Sequence, residues 1–207
     1  MMVIVDSGGG NIRSIENCLL RLGQKSILSK DKNIIAKSKT VILPGVGNGS
    51  HCMSRLRELD LIETLKNHTG QVLGICAGMQ IMFEYSEEEN TEGLGIFEGS
   101  IVKFPHQKSC PIPQMGWNQL LFTNKGKTCP LLDGVSEKSY VYYANSYYAP
   151  VSQYTLAKSQ YSKPLSGIVQ KNNFWGIQFH PEKSQDVGEK IFKNFISHVE
   201  KQDSEKK

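Results

Sequence analysis

Residues 72–80 read Val-Leu-Gly-Ile-Cys-Ala-Gly-Met-Gln. An apolar run ends in Gly74, Cys76 stands two residues on, and Gly78 follows two residues after that. The spacing G-x-C-x-G predicts a parallel strand turning sharply into a helix with the cysteine at the corner. Such a turn strains the backbone at its corner, and the flanking glycines let neighbouring elements approach without a Cβ clash. Cys76 would then stand at the carboxyl end of a parallel strand, where open α/β sheets place their ligands. The N-terminus of the following helix would lower the thiol pKa and aim backbone N–H groups at an oxyanion. A free cysteine is also an ordinary small buried hydrophobe, so the spacing alone leaves both readings open.

The surrounding sequence supports the strand. Over the first 85 residues short β-branched runs alternate with amphipathic segments, the signature of parallel strands joined by crossover helices. Strands are expected at Val3 to Asp6, Lys25 to Ser29, Thr40 to Leu43 and Val72 to Ile75. Ile12, Ile15, Leu19 and Leu22 recur at helical spacing before Gly23, a C-cap position. A helix from His51 to Lys66 is expected to break near Asp60. From Ile96 the chain changes to strands linked by turns: IFEGSIVKF, QMGWNQLLF, YVYYANSYY, YTLAKSQY and SGIVQKNNFWGIQF. In the last of these Asn172-Asn173 suits a hairpin turn. A final helix places Val187, Ile191, Phe192, Phe195, Ile196 and Val199 on one face, with Ser184 or Asp186 as its cap. The expected result is an α/β sandwich whose mixed sheet is parallel at its centre and antiparallel toward one edge.

Composition narrows the function. The 207 residues suffice for one domain spanning 1–207, with no linker, repeat or low-complexity tract; only the tail from Lys201 to Lys207 reads as solvated and frayed. A net charge of +4 with scattered lysines gives nucleic-acid binding little to stand on. The start MMVIVDSGGG has no basic n-region and too brief an apolar run for a signal peptide or a membrane span, so a cytosolic location is expected. Cys18, Cys52, Cys76, Cys110 and Cys129 are odd in number and lack C-x-x-C spacing, which supports neither a disulfide framework nor zinc, and no cofactor is implied. Gly8-Gly9-Gly10 departs from G-x-G-x-x-G at Arg13 and reads as a turn.

A cysteine nucleophile needs a base. His51, His68, His106 and His198 have unremarkable settings, with His68 and His198 on helical segments that look exposed and His106 in a polar loop. His180 differs. It ends the alternating run FWGIQFH, Pro181 stops further pairing, and Glu182 can curl back to accept the second imidazole N–H. Cys76, His180 and Glu182 therefore fit the roles of nucleophile, base and orienting group.

With these residues in view, the chain resembles the class I, or triad, glutamine amidotransferases, whose elbow and QFHPE ending it shares. More narrowly it is similar to their glutaminase subunits of imidazole glycerol phosphate synthase. That likeness rests on IVDSGGGNIRSI, Leu43-Pro44-Gly45-Val46-Gly47, LGICAGMQIMF, MGWN at 115–118, NSYY at 145–148 and FWGIQFHPEKS. The resemblance implies a flavodoxin-like sandwich that hydrolyses L-glutamine through a cysteine thioester. It also implies a (β/α)8-barrel cyclase partner that receives the ammonia in histidine biosynthesis. Further, it assigns Gly45, Val46, Gly47 and Ala77 to the oxyanion site, Gln80, Ser146 and Tyr147 to substrate, and Asn11, Trp117 and Asn118 to the partner interface. Unaided, the residue pattern reads Trp117 as core and the PGVG segment as a strand-ending turn.

The chain departs from the family's pattern at Asn145 and Gln114, where histidine is usual, at Ser7, and at Gly49-Ser50-His51. None of these removes Cys76, His180 or Glu182. The client synthase therefore stays open at this level. A sugar-amidating synthase is one alternative, and a role in regulation without catalysis is another.

Overall fold

The computed structural model describes residues 1–8, 12–45 and 47–205, with the side chain of Asp203 excepted. The described residues form an eight-stranded sheet that runs, edge to edge, Ser26–Ser29, Met2–Val5, Thr40–Leu43, Gln71–Ile75, Phe174–Ile177, Pro164–Lys171, Thr155–Gln160 and Leu121–Phe122. The first five are mutually parallel and the last three antiparallel, which matches the mixed sheet expected from the sequence.

The four inner parallel strands are almost wholly buried because both faces are covered, whereas the edge strand Ser26–Ser29 leaves Ile27 and Leu28 exposed. Along Met2–Val5, Met2 and Ile4 pack into one core while Val3 and Val5 pack into the other. Ile42 and Leu73 likewise face the first core, and Val41, Leu43 and Val72 the second. The helices Ile12–Arg21 and Gln185–Glu205 close the first face through Ile15, Leu19, Ile191, Phe192, Phe195, Ile196 and Val199. Truncating one of these buried phenylalanines would cost about 3–5 kcal/mol. Helices Gly49–Glu58 and Ile62–Lys66 close the second face through Met53, Leu56 and Leu65.

Several local signals act as expected. Gly23 has φ +74° and its N–H bonds to the Leu20 carbonyl, ending the first helix. Asp60, with φ +53°, separates the two helices of the 49–66 segment. Asn172, with φ +54°, turns the hairpin in which Lys171 opposes Phe174. Gly8 donates to the Asp6 side chain in a turn, while Gly9 and Gly10 lie outside the described residues.

Other expectations are corrected. QMGWNQLLF is not one strand: Gln114–Gln119 leaves the main sheet to pair with Tyr140–Asn145 in a two-stranded ribbon, and Leu121–Phe122 alone joins the sheet edge. YVYYANSYY divides at Ser146, so that Tyr147–Tyr148 pairs with Phe97–Lys103 in a separate four-stranded sheet. The tail is helical through Glu205, because each residue added to an anchored helix gains a backbone bond at little further cost. His68 is not exposed; it follows the Ile62–Lys66 helix and is buried where Asn173 donates to its carbonyl. The hydroxyl of Ser184 does not cap the last helix, being bonded elsewhere as described below.

Candidate active site

Cys76 follows the Gln71–Ile75 strand with φ +52° and ψ −113°, a conformation that a residue with a side chain adopts at a cost. Its N–H donates to the Ile177 carbonyl at 2.7 Å, which holds the corner against the neighbouring strand. A Cβ at Gly74 would overlap the Gly78 carbonyl, and one at Gly78 would overlap the Leu43 carbonyl. Gly45 is as crowded, against the Ile75 carbonyl and the Ala77 nitrogen. The glycines flanking the cysteine are thus required by close backbone approach, as the spacing suggested. The helix after the corner is only Ala77–Gln80, a single turn. Its dipole is therefore a smaller influence on the thiol than the sequence implied, and side chains supply the polar surroundings.

The strand Phe174–Ile177 lies parallel to Gln71–Ile75 with Ile177 opposite Ile75, so the residues after it pass beside the corner. His180 is fixed there by its backbone. Its N–H donates to the Tyr142 carbonyl at 2.8 Å, and its carbonyl accepts from the Ser184 hydroxyl at 2.7 Å. The same Ser184 oxygen accepts from the Tyr142 N–H at 2.9 Å, which accounts for its absence from the helix cap. The turn Pro181–Lys183 brings Glu182 Oε1 to 2.8 Å from His180 Nδ1, with the carboxylate almost wholly buried. Burial by itself pushes the imidazole pKa down. Hydrogen bonding to Cys76 and Glu182, with the negative charge of both, outweighs it and carries the pKa up to about 10. The surroundings favour a protonated imidazole beside the Cys76 sulfur.

A cavity of about 230 Å³ opens over Cys76 and Ala77. Gly47, Gln80, Ser146 and Tyr147 line it, so these sequence-predicted residues converge on one space. Val46 lies outside the described residues. Gln80 donates to the Tyr147 carbonyl at 2.8 Å and to Gln178 Oε1 at 3.0 Å. Asn145 also donates to the Tyr147 carbonyl, at 2.9 Å, while its buried Oδ1 has no hydrogen-bond partner. Gln114 stands directly opposite Asn145 in the ribbon, and its Oε1 is buried and unpartnered as well. Two of the departures from the family's pattern, Asn145 and Gln114, are therefore cross-strand neighbours, and Asn145 lines the cavity.

Two residues escaped the sequence reading. Glu88 lines the cavity and accepts from the Gly49 N–H at 2.7 Å, yet in the sequence it stands among Glu87-Glu88-Glu89 with no spacing that singles it out. Gln178 is fully buried and donates to Cys76 Sγ at 3.8 Å. Its place two residues before His180 in the run FWGIQFH, which the sequence reads as extended, was the available signal, although the strand itself ends at Ile177.

The residues expected at a partner interface divide. Trp117 is 47% exposed rather than core, with its ring edge-on to Tyr142. Met115, 68% exposed, shares that outer face and also borders the cavity. Asn118 points to the opposite side, where it donates to the Gln160 carbonyl at 2.9 Å, so it ties the ribbon to the main sheet instead of joining the display. Asn11 lies outside the described residues. No helix among the described residues is long and apolar enough to cross a membrane.

Comparison with known proteins adds to this geometry. A family model for class-I glutamine amidotransferases matches residues 3–199. The chain is 41% identical over 196 residues to the imidazole glycerol phosphate synthase subunit HisH of Buchnera aphidicola subsp. Schizaphis graminum, covering 94% of this chain and 98% of that protein. It is 40% identical over 198 residues to the subunit HisH of Haemophilus influenzae, covering 96% and 98%. Among solved structures, a putative GMP synthase subunit from Thermoplasma acidophilum superposes with a TM-score of 0.76 at 19% identity, covering 100% of this chain and 97% of the other. The glutaminase domain of Trypanosoma brucei CTPS superposes with a TM-score of 0.68 at 15% identity, covering 97% and 93%. At those identities the structural likeness speaks for the fold alone.

Proposed function

The chain belongs to the class-I glutamine amidotransferase family, and from that membership we propose that it is the glutaminase subunit of an imidazole glycerol phosphate synthase. In this reading it hydrolyses L-glutamine to glutamate and ammonia and delivers the ammonia to a cyclase barrel in histidine biosynthesis. The observation that carries the chemistry is the Cys76 thiol lining a cavity of about 230 Å³ with the His180–Glu182 pair interacting with it.

The Cys76 sulfur attacks the side-chain carboxamide carbon of glutamine and forms a C–S bond. The carbonyl oxygen takes up negative charge, and the N–H of Ala77 and those that the family resemblance assigns at Gly45, Val46 and Gly47 are the donors. His180, held protonated, donates to the nitrogen as the C–N bond breaks, and ammonia leaves. The neutral imidazole then takes a proton from water, hydroxide adds to the thioester carbon, and the C–S bond breaks to give glutamate and the free thiol. Glu182 keeps the ring oriented and supports its charge throughout. Gln80, Ser146 and Tyr147 hold the amino-acid end of glutamine, and the Glu88 carboxylate is placed to meet its ammonium group.

The exposed Met115 and Trp117, with Tyr142 beside Trp117, form an apolar platform that reaches the cavity at Met115. We assign the cyclase partner to this platform, since a partner seated there would cover the cavity's exit for ammonia. The test is turnover by the host's cyclase subunit mixed with this chain, with glutamine or with ammonium salts as nitrogen source. Glutamine is expected to support turnover with the native chain, and only ammonium salts with Cys76→Ala. Glutamine failing with the native chain, while ammonium salts succeed, would overturn the proposal.

A further inference from the structure

Gln178 takes no part in the bond-making steps above, yet its carboxamide is fully buried against the nucleophile. The orientation of that carboxamide follows from one backbone carbonyl. The Tyr147 oxygen only accepts, so the end of Gln80 that faces it at 2.8 Å is the amide nitrogen. The same nitrogen lies 3.0 Å from Gln178, so the end of Gln178 facing Gln80 is the carbonyl oxygen. What remains is Nε2, which faces Cys76 Sγ at 3.8 Å as a donor. The neutral thiol has a different partner, the Ala144 carbonyl at 3.9 Å. Ionisation removes the S–H and that bond with it, while the Gln178 N–H remains and bonds more strongly to an anion.

We propose that Gln178 is a positioning residue for the nucleophile. Its N–H holds the ionised Cys76 sulfur, and its oxygen ties that sulfur to Gln80, the residue that faces substrate. Occupation of the substrate site is thereby linked to the placement of the sulfur through one buried side chain. The roles given to sulfur and Gln80 rest on the glutaminase reading; the contacts themselves do not. The titratable groups around the sulfur are His180, with Glu182 behind it, and Glu88 at the cavity wall.

The test is the pH dependence of iodoacetamide alkylation at Cys76 in the whole chain without a partner. Peptide mapping separates this site from Cys18, Cys52, Cys110 and Cys129. Gln178→Met is expected to raise the midpoint by about one pH unit, which is a roughly tenfold slower reaction below the midpoint. Gln178→Glu keeps an acceptor for Gln80 but loses the donor to sulfur. Its midpoint is expected to rise at least as far, while its KM for glutamine stays nearer the native value than that of Gln178→Met. A fast-reacting Cys76 whose midpoint is the same in native chain and both variants would overturn this inference alone. A native Cys76 no more reactive than the other cysteines would overturn the glutaminase reading and this inference together. If neither Gln178 variant folds, Gln80→Met releases the other end of the carboxamide and is expected to move the midpoint upward; an unmoved midpoint there counts against the proposal.

Discussion

Gly78, on the turn after the nucleophile, lies against the Leu43 carbonyl so closely that a Cβ would overlap the oxygen. Leu43 ends the neighbouring strand, and neither backbone can retreat without disturbing the sheet register Leu43 to Gly74. Gly78→Ala is therefore expected to destabilise the fold by on the order of 3 kcal/mol, as overpacking against a rigid neighbour does. In a chain of this size that is about a 10 °C drop in melting temperature. A scanning calorimetry trace within about 2 °C of the native protein's would contradict the close approach.

His180 should remain protonated well above the ordinary histidine range. Burial lowers its pKa, but the Cys76 and Glu182 interactions carry it up to about 10. Because the folded pKa lies above the unfolded value, this group's contribution to stability is complete below the unfolded pKa of about 6.5 and is lost as pH rises through about 10. An imidazole titration followed by NMR should place the His180 midpoint well above the ordinary histidine value, and Glu182→Gln should bring it down. A native midpoint near 6.5 would remove the basis for His180 as the proton donor.

His68 gives the opposite sign. Its ring is buried, neither nitrogen has a hydrogen-bond partner, and burial lowers its pKa. The unfolded chain binds this proton more readily, so stability should fall as pH drops below about 6.5. His68→Leu replaces an unsatisfied polar ring by an apolar side chain and should retain more of its stability on acidification. Urea denaturation midpoints at two pH values, near neutrality and about two units lower, measure the difference. Equal acid losses in both proteins would show that His68 is not the responsible group.

Trp117→Glu should leave the cavity intact while placing a charge in the middle of the platform beside Tyr142. Binding of the cyclase subunit, measured by titration calorimetry, is expected to weaken at least tenfold, the loss typical of an aromatic anchor. Cys76 alkylation without partner should be unchanged. Unaltered affinity would move the proposed docking surface away from this ribbon.

What the sequence determined was local. G-x-C-x-G fixed the strand-turn-helix at Cys76 because the crowding at Gly74 and Gly78 arises within a few residues and against the next strand. His180 and Glu182 were legible as a pair because only Pro181 separates them, a distance the chain closes by itself. The inner parallel strands were readable from short apolar runs, since strands covered on both faces need them. Burial and display were decided only by tertiary structure. Gln178 meets Cys76 across 102 positions of sequence, Trp117 faces outward although its composition reads as core, and His68 lies inside although its segment looks solvated. QMGWNQLLF divides between two sheets because its halves find different distant partners. A residue's neighbours in space are set by the summed packing of segments far apart in the chain, and no local pattern carries that sum.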